Sequence, residues 1–175
     1  MLLRRRARLP RRPPTPRRDR HACPRRVHGA VVPTVRRSRV IQADPAALWA
    51  ILDDPHHLPR WWPKASRVES VARDHFTLVL ATERGRSVRA DYAVAVREPP
   101  RRRVWRQEVE GTPFERILRA AEIEALVEPG HAGAAVTLEL RQHPRGFARL
   151  GGFMLRRAAR HQLDNALASL EAICG

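Results

Sequence analysis

The stretch from Arg67 to His143 constrains the fold more than any other, because it alternates apolar and polar residues with a period of two. His75 to Thr82 places Phe76, Leu78 and Leu80 on one face and Thr77 and Val79 on the other. Ser87 to Arg97 turns Val88, Ala90, Tyr92, Val94 and Val96 inward and Arg89, Asp91 and Arg97 outward. Val104 to Glu110 separates Trp105, Gln107 and Val109 from Arg106, Glu108 and Glu110, and Ala134 to His143 sets Val136, Leu138, Leu140 and Gln142 on one side. Arg67 to Ala72 and Glu115 to Glu128 read as two further strands, the second of open register. Turn signals divide them: Gly85, Pro99-Pro100, Gly111-Thr112-Pro113 and Glu128 to Gly133. Half-buried strands joined by short turns predict an antiparallel sheet with one face on a core.

The period then changes. Pro144 stops the last strand, and residues 145–172 read as one helix. Phe147, Leu150, Met154 and Ala158 form a stripe that Leu163, Leu167 and Leu170 continue with a one-residue drift. Gly151-Gly152 inside it costs about 1 kcal/mol per glycine and marks a kink, a close contact or room for a ligand beside the helix. At the other end, Thr34 to Gln42 reads as a strand. Asp44-Pro45 caps a helix whose residues Leu48, Ile51 and Leu52 share one face, and His56 to Pro63 forms a short second helix or turn. One strand, two short helices, six strands and a long terminal helix make an α+β chain.

The segment Arg39-Val40-Ile41-Gln42-Ala43-Asp44-Pro45-Ala46-Ala47-Leu48-Trp49-Ala50-Ile51-Leu52-Asp53-Asp54, followed by Leu58-Pro59-Arg60-Trp61-Trp62-Pro63, resembles the opening of the START-like superfamily. It is most similar to its bacterial polyketide cyclase/dehydrase and lipid-transport proteins, the SRPBCC group. The element order extends the resemblance over residues 35–173. It implies a helix-grip fold, a curved seven-stranded antiparallel sheet around a long C-terminal helix. Between them it implies a cavity for a lipid, a polyketide or another hydrophobic molecule. Some members of the group are binders and some are cyclases or aromatases.

Charge is distributed unevenly. The chain of 175 residues has a net charge of +16, yet residues 1–39 hold fourteen arginines against Asp19 alone, with six of the fifteen prolines. The remainder is close to balance, which removes most of the case for a globular nucleic-acid-binding domain. Residues 1–34 read as a disordered tail and 35–175 as the ligand-binding domain. Two readings of the tail stay open. It could contact an anionic membrane or RNA weakly through charge. Alternatively it is translated upstream DNA of a GC-rich gene, with the start at Val27, Val31 or Val32. Leu2-Leu3 is too short for a secretory signal, and no apolar run approaches the ~18 residues of a membrane helix, so the expected location is the cytoplasm.

The inward faces of the strands and the helix stripe nominate the ligand-binding residues: Trp49, Trp62, Phe76, Leu78, Leu80, Tyr92, Trp105, Gln107, Gln142, Phe147 and Met154. Trp49 and Trp62 read either as cavity walls or as packing positions. Tyr92, with an ordinary pKa near ~10, is a better donor than base. Gln107 and Gln142 do not titrate and can only orient a ligand. Arg119 faces the cavity if Ile117, Ala121 and Ile123 do, and a buried arginine needs a carboxylate. His56-His57 does not complete a metal set, Cys23 and Cys174 lie near opposite ends, and there is no phosphate-binding loop. No metal or cofactor is expected. The expected function is binding of a hydrophobic or amphipathic small molecule. The alternatives are a polyketide cyclase or aromatase acting in the same cavity, or an adaptor working through the tail. Catalytic residues and oligomeric state are not legible.

Overall fold

Asp44 opens the first helix as its sequence predicts: the backbone N–H of Ala47 donates to the Asp44 carboxylate at 3.2 Å, and Pro45 takes the first helical position. The computed structural model describes residues 34–146 and 152–174. Within them, strand β1 (Thr34–Ile41) leads into helix α1 (Pro45–Asp53), a 3-10 turn (Pro55–His57) and the single-turn helix α2 (Leu58–Trp61). Strands β2 (Ala65–Glu69), β3 (His75–Ala81), β4 (Ser87–Glu98) and β5 (Arg102–Glu108) follow. A 3-10 turn (Pro113–Arg116), the long pair β6 (Leu118–Gly130) and β7 (Gly133–Pro144), and helix α3 (Gly152–Cys174) complete the order.

The strands form one seven-stranded antiparallel sheet in the order β1-β7-β6-β5-β4-β3-β2. Consecutive strands are neighbours except β1, which pairs with β7 from Thr34 opposite Arg141 to Ile41 opposite Ala134. That pairing is made possible where the β6–β7 turn passes the β1–α1 link. Gly133 sits there at φ +119°, and a Cβ on it would lie 2.1 Å from the carbonyl oxygen of Ile41. Only glycine fits such an approach.

The core lies between one face of the sheet and the helices. α3 packs on β1, β7 and α2, and α1 packs on β6. Ala159, Leu163, Ala166, Leu167 and Leu170 are the buried face of α3. Each buried leucine contributes about 1.5–3 kcal/mol. The opposite face of the sheet is a charged lattice. Glu124, 6 % exposed, accepts from Arg102 Nε and Arg141 Nη2, both at 2.7 Å, and Arg141 Nη1 also donates to Glu122 at 2.7 Å. Burial works against the Glu124 carboxylate, but the two arginines prevail and hold it below the ordinary carboxylate range.

The structure departs from the sequence reading at several points. In β4 the register shifts between Val94 and Val96, so Val96 pairs with the outward Val104 and Arg97 with the inward Arg103, the reverse of the faces expected for them. β6 begins at Leu118, after the 3-10 turn, rather than at Glu115, and Gly146, at φ +58°, is not part of α3, which was expected to start at 145. β2 ends at Glu69, just before Ser70 at φ +52°, rather than continuing to Ala72. β5 begins at Arg102 rather than Val104, which extends its inward face to Arg103. In β6 the register shifts between Leu118 and Ala120, so Leu118 and Ala121 are both buried while Arg119 is exposed and stays out of the cavity. In α3 the buried stripe steps back from Leu163 to Ala159, and Met154, one residue off that spacing, is 72 % exposed. Phe147, Leu150 and Gly151 lie outside the described residues, as do residues 1–33; Thr34 already belongs to β1. Gly152 is the first residue of α3, and a Cβ on it would meet nothing within 4 Å.

Candidate ligand-binding site

Antiparallel register assembles the inward side chains into rows across the sheet. One row runs Phe76–Tyr92–Gln107–Ala121–Gln142 over β3 to β7. The next runs Val94–Trp105–Ile123–Leu140–Val35 over β4 to β7 and β1. Side chains directly opposite one another in such pairs are in contact range. Phe76 and Tyr92 use it to stack, with ring centroids 5.4 Å apart and planes 15° from parallel.

A void opens beneath these rows, walled on the sheet side by Phe76, Leu78, Tyr92, Trp105 and Ile123 and on the helix side by Leu58, Trp61 and Trp62. Trp61 and Trp62 meet edge to face at 5.5 Å. The void measures about 10 Å³. That is room for roughly one water. Its ionisable wall group is Tyr92. Burial pushes that phenol above the ordinary tyrosine value, so it is a protonated donor at neutral pH. The buried indole nitrogens Trp61 Nε1 and Trp105 Nε1 have no hydrogen-bond partner among the described residues, nor has the amide nitrogen of Gln107.

A second space adjoins the first. A groove of about 520 Å³ runs between α3 and the far end of β3, lined by Pro63, Leu80, Ala158, His161, Gln162 and Asn165, with the exposed Lys64–Glu83 ion pair, 3.1 Å, beside it. The chain from Leu58 to Lys64 therefore separates void from groove: Leu58, Trp61 and Trp62 face one, Pro63 and Lys64 the other.

Five of the eleven nominated residues, Trp62, Phe76, Leu78, Tyr92 and Trp105, meet around the void. Leu80 lines the groove instead. Trp49 is buried in the same core but is not part of the void wall, Gln107 is buried beside Tyr92 in register, and Gln142 is half-buried at the row's end. Met154 faces solvent, and Phe147 lies outside the described residues. Leu58, Trp61 and Ile123 were not nominated. For Leu58 and Trp61 the signal was present in their three-residue spacing on a helix.

Arg103 was also missed. It is 3 % exposed, lies 5.5 Å from the Trp105 ring centroid, and donates through Nη1 to both the main-chain carbonyl and the carboxylate of Asp53 at the end of α1. Arg97 Nε donates to the same carboxylate at 2.8 Å. Arg97 and then Arg103 hold the Asp53 carboxyl below its ordinary range against the opposing effect of burial. The buried arginine that needs a carboxylate is thus Arg103 and not Arg119. Among the described residues no three His, Cys, Asp or Glu side chains are grouped to hold a metal, and no helix is long and apolar enough to cross a membrane.

Solved structures share this architecture. A START superfamily protein from Mycobacterium smegmatis superposes with a TM-score of 0.65 at 15% identity, over 81% of this chain and 96% of that one. The protein TTHA0849 from Thermus thermophilus gives 0.64 at 20%, over 79% and 94%. The di-domain ARO/CYC StfQ from the steffimycin biosynthetic pathway gives 0.67 at 15%, over 82% of this chain, which spans 50% of the length of that protein. No curated protein matches the chain in sequence. The family model for polyketide cyclase / dehydrase and lipid transport does, across residues 32–175. With that match, and with the fold it shares with the START superfamily protein, the chain belongs to the polyketide cyclase / dehydrase and lipid transport family.

Proposed function

We propose that the chain binds a hydrophobic or amphipathic small molecule, lipid-like or polyketide-like, in the interior between the sheet and the helices. The observation that carries this reading is the aromatic wall around the void, contributed by β3, β4, β5 and α2 together. Apolar walls with few polar groups are what such ligands select, and each Å² of ligand apolar surface buried supplies roughly 25 cal/mol. At about 10 Å³ the void is closed to such a molecule, so entry requires the Leu58–Lys64 segment to move and join void to groove. That segment is suited to it. α2 is a single helical turn, and Lys64 at φ +66° ends the segment in a sparsely populated backbone state.

A cyclase or dehydratase acting on a chain held in the same place is the second reading, and Tyr92 favours it. Its side chain lines the void and its phenol stays protonated, so that with a ligand seated there the phenol would donate to a carbonyl oxygen as that oxygen gains charge. Native mass spectrometry of the purified chain and titration with a fluorescent fatty-acid-like probe test the first reading; saturable, displaceable binding is expected, and its absence would reject it. Turnover of a poly-β-keto thioester that is lost in Tyr92→Phe while probe binding persists would establish the second.

A further inference from the structure

The surface that walls the void is apolar throughout, so the polar end of an amphipathic molecule finds no partner there. That end must lie elsewhere, and the groove beside α3 is the next space along both the chain and the sheet. Trp62 faces the void and Pro63 the groove. On β3, Leu78 lines the void and Leu80, the next residue on the same face, lines the groove. Two residues span about 7 Å of strand. An apolar track along β3 therefore runs from one space to the other. At about 520 Å³ the groove has the size of a small-molecule site.

Across from this track, α3 supplies polar groups. Ala158, Gln162 and Asn165 follow one another at four- and three-residue spacing and so share one face of the helix. Gln162 is half-buried and Asn165 exposed. Each carboxamide both donates and accepts, and carries no charge. Neither makes a side-chain hydrogen bond to another described residue, so both are open to a ligand. His161, beside Gln162, adds a ring N–H donor. The groove is also lined by Lys64 and Glu83, paired at 3.1 Å. A charged head of either sign meets one member of that pair as a like charge, whereas a neutral head meets neither so.

We propose that the groove between α3 and β3 is a headgroup site: an amphipathic ligand lies with its apolar chain along β3 into the void, and its uncharged, hydrogen-bonding head is held in the groove by Gln162 and Asn165. The inference rests on the binding reading above. It names the ligand class, neutral amphiphiles such as alkyl polyols, and the direction in which they lie. A hydroxyl matches a carboxamide because each gives and takes a hydrogen bond. A sulfate head only accepts, and a trimethylammonium head does neither. Specificity arises because the wrong head leaves polar groups of the groove without a partner.

Decyl glucoside, decyl sulfate and decyltrimethylammonium share one chain and separate these heads. Each competes, below its micelle concentration, with the fluorescent fatty-acid-like probe on the full chain. The glucoside is expected to bind about fivefold or more tightly than either ion. Gln162→Met combined with Asn165→Leu removes both carboxamides at similar size. That variant should bring the glucoside down to parity while the affinities of the two ions hold. Comparing the two chains also cancels any attraction of the sulfate to the arginines of residues 1–31. The side-chain amide resonances of Gln162 and Asn165 give a second readout that does not depend on a variant folding: in the unmutated chain they should shift with the glucoside and not with the trimethylammonium compound. An ion that binds as tightly as the glucoside, a preference that survives the double substitution, or amide resonances unmoved by the glucoside would overturn the headgroup site, with the probe still bound and the binding reading intact. No displacement by any of the three, together with no binding of the probe itself, would overturn both.

Discussion

Asp53 and Arg103 tie the end of α1 to the inward face of β5, and a buried arginine held this way makes the local stability depend on pH. Arg97 and Arg103 keep the Asp53 carboxyl below its ordinary value in the folded chain, so on acidification the unfolded chain takes up the proton first. The stabilisation is therefore complete above about pH 4 and drains away as pH falls through the lower, folded value. Asp53→Asn should lower the melting temperature clearly at pH 6 and progressively less towards pH 3; a constant difference would show that the carboxylate's charge is not what matters. Arg103→Met, which keeps length but strands the Asp53 carbonyl, should cost about 3 kcal/mol in denaturant titration. Arg103 was hidden in the sequence because the strand reading starts at Val104, after the break at Pro99-Pro100. Parity with Trp105 and Gln107 was the available clue, and only the position of Asp53, fifty residues away, decides it.

Among the elements, what was legible followed from periodicity. The alternation gave the inward faces of β3, β5 and β7, and of β4 as far as Val94, because apolar side chains face the helices; past the register shift between Val94 and Val96 it inverts, turning Val96 outward and Arg97 inward to Asp53. Asp44-Pro45 fixed the start of α1 because capping is local. What failed was non-local. The register shift that turns Arg119 outward depends on how β6 meets β7, and the exposure of Met154 depends on which stripe of α3 faces β1. The near-closure of the void was illegible for the same reason: it depends on the packing of α2 against the sheet, not on any residue alone. The close pass at Gly133 is likewise tertiary. Gly133→Ala should cost at least about 2 kcal/mol, through its overlap with Ile41 and its backbone angle, whereas Gly85→Ala, at φ +71° with open space around it, should cost only the backbone contribution of about 1 kcal/mol. Equal costs would mean that the β6–β7 turn and the β1–α1 link do not approach as described. The groove between α3 and β3 has its own test. Ala158→Trp fills it from the exposed side of α3, so the melting temperature should hardly move while association of the fatty-acid-like probe slows by about fivefold or more. Unchanged association would place the entrance elsewhere.

At the scale of the whole molecule the two halves of the charge pattern have different consequences. The arginines of the sheet are largely paired with carboxylates: Arg37 with Asp164, Arg39 with Glu171, Arg67 and Arg89 with Glu69, Arg141 with Glu122, Glu124 and Glu139. A sheet surface neutralised pair by pair presents no extended field to a polyanion, and the exposed Arg156, Arg157 and Arg160 of α3 make only a small patch. Residues 1–31 carry eleven arginines against Asp19 alone, and there proximity to carboxylates along the chain is lacking. Any affinity for nucleic acid or anionic vesicles should therefore belong to that segment, fall steeply with salt, and vanish from a chain beginning at Val32. The family match begins at the same residue, 32, and β1 begins at Thr34, so the shortened chain retains every element that forms the sheet and the void. It should melt within a few degrees of the full chain and bind the fatty-acid-like probe equally well. Retention of polyanion binding at ~0.15 M salt, where surface charges more than about 8 Å apart are already screened, would overturn this and place a basic site on the folded body, with Arg156, Arg157 and Arg160 of α3 the residues to substitute first. A large drop in melting temperature would instead mean that residues 1–31 pack against the body, and the boundary near Thr34 would have to move.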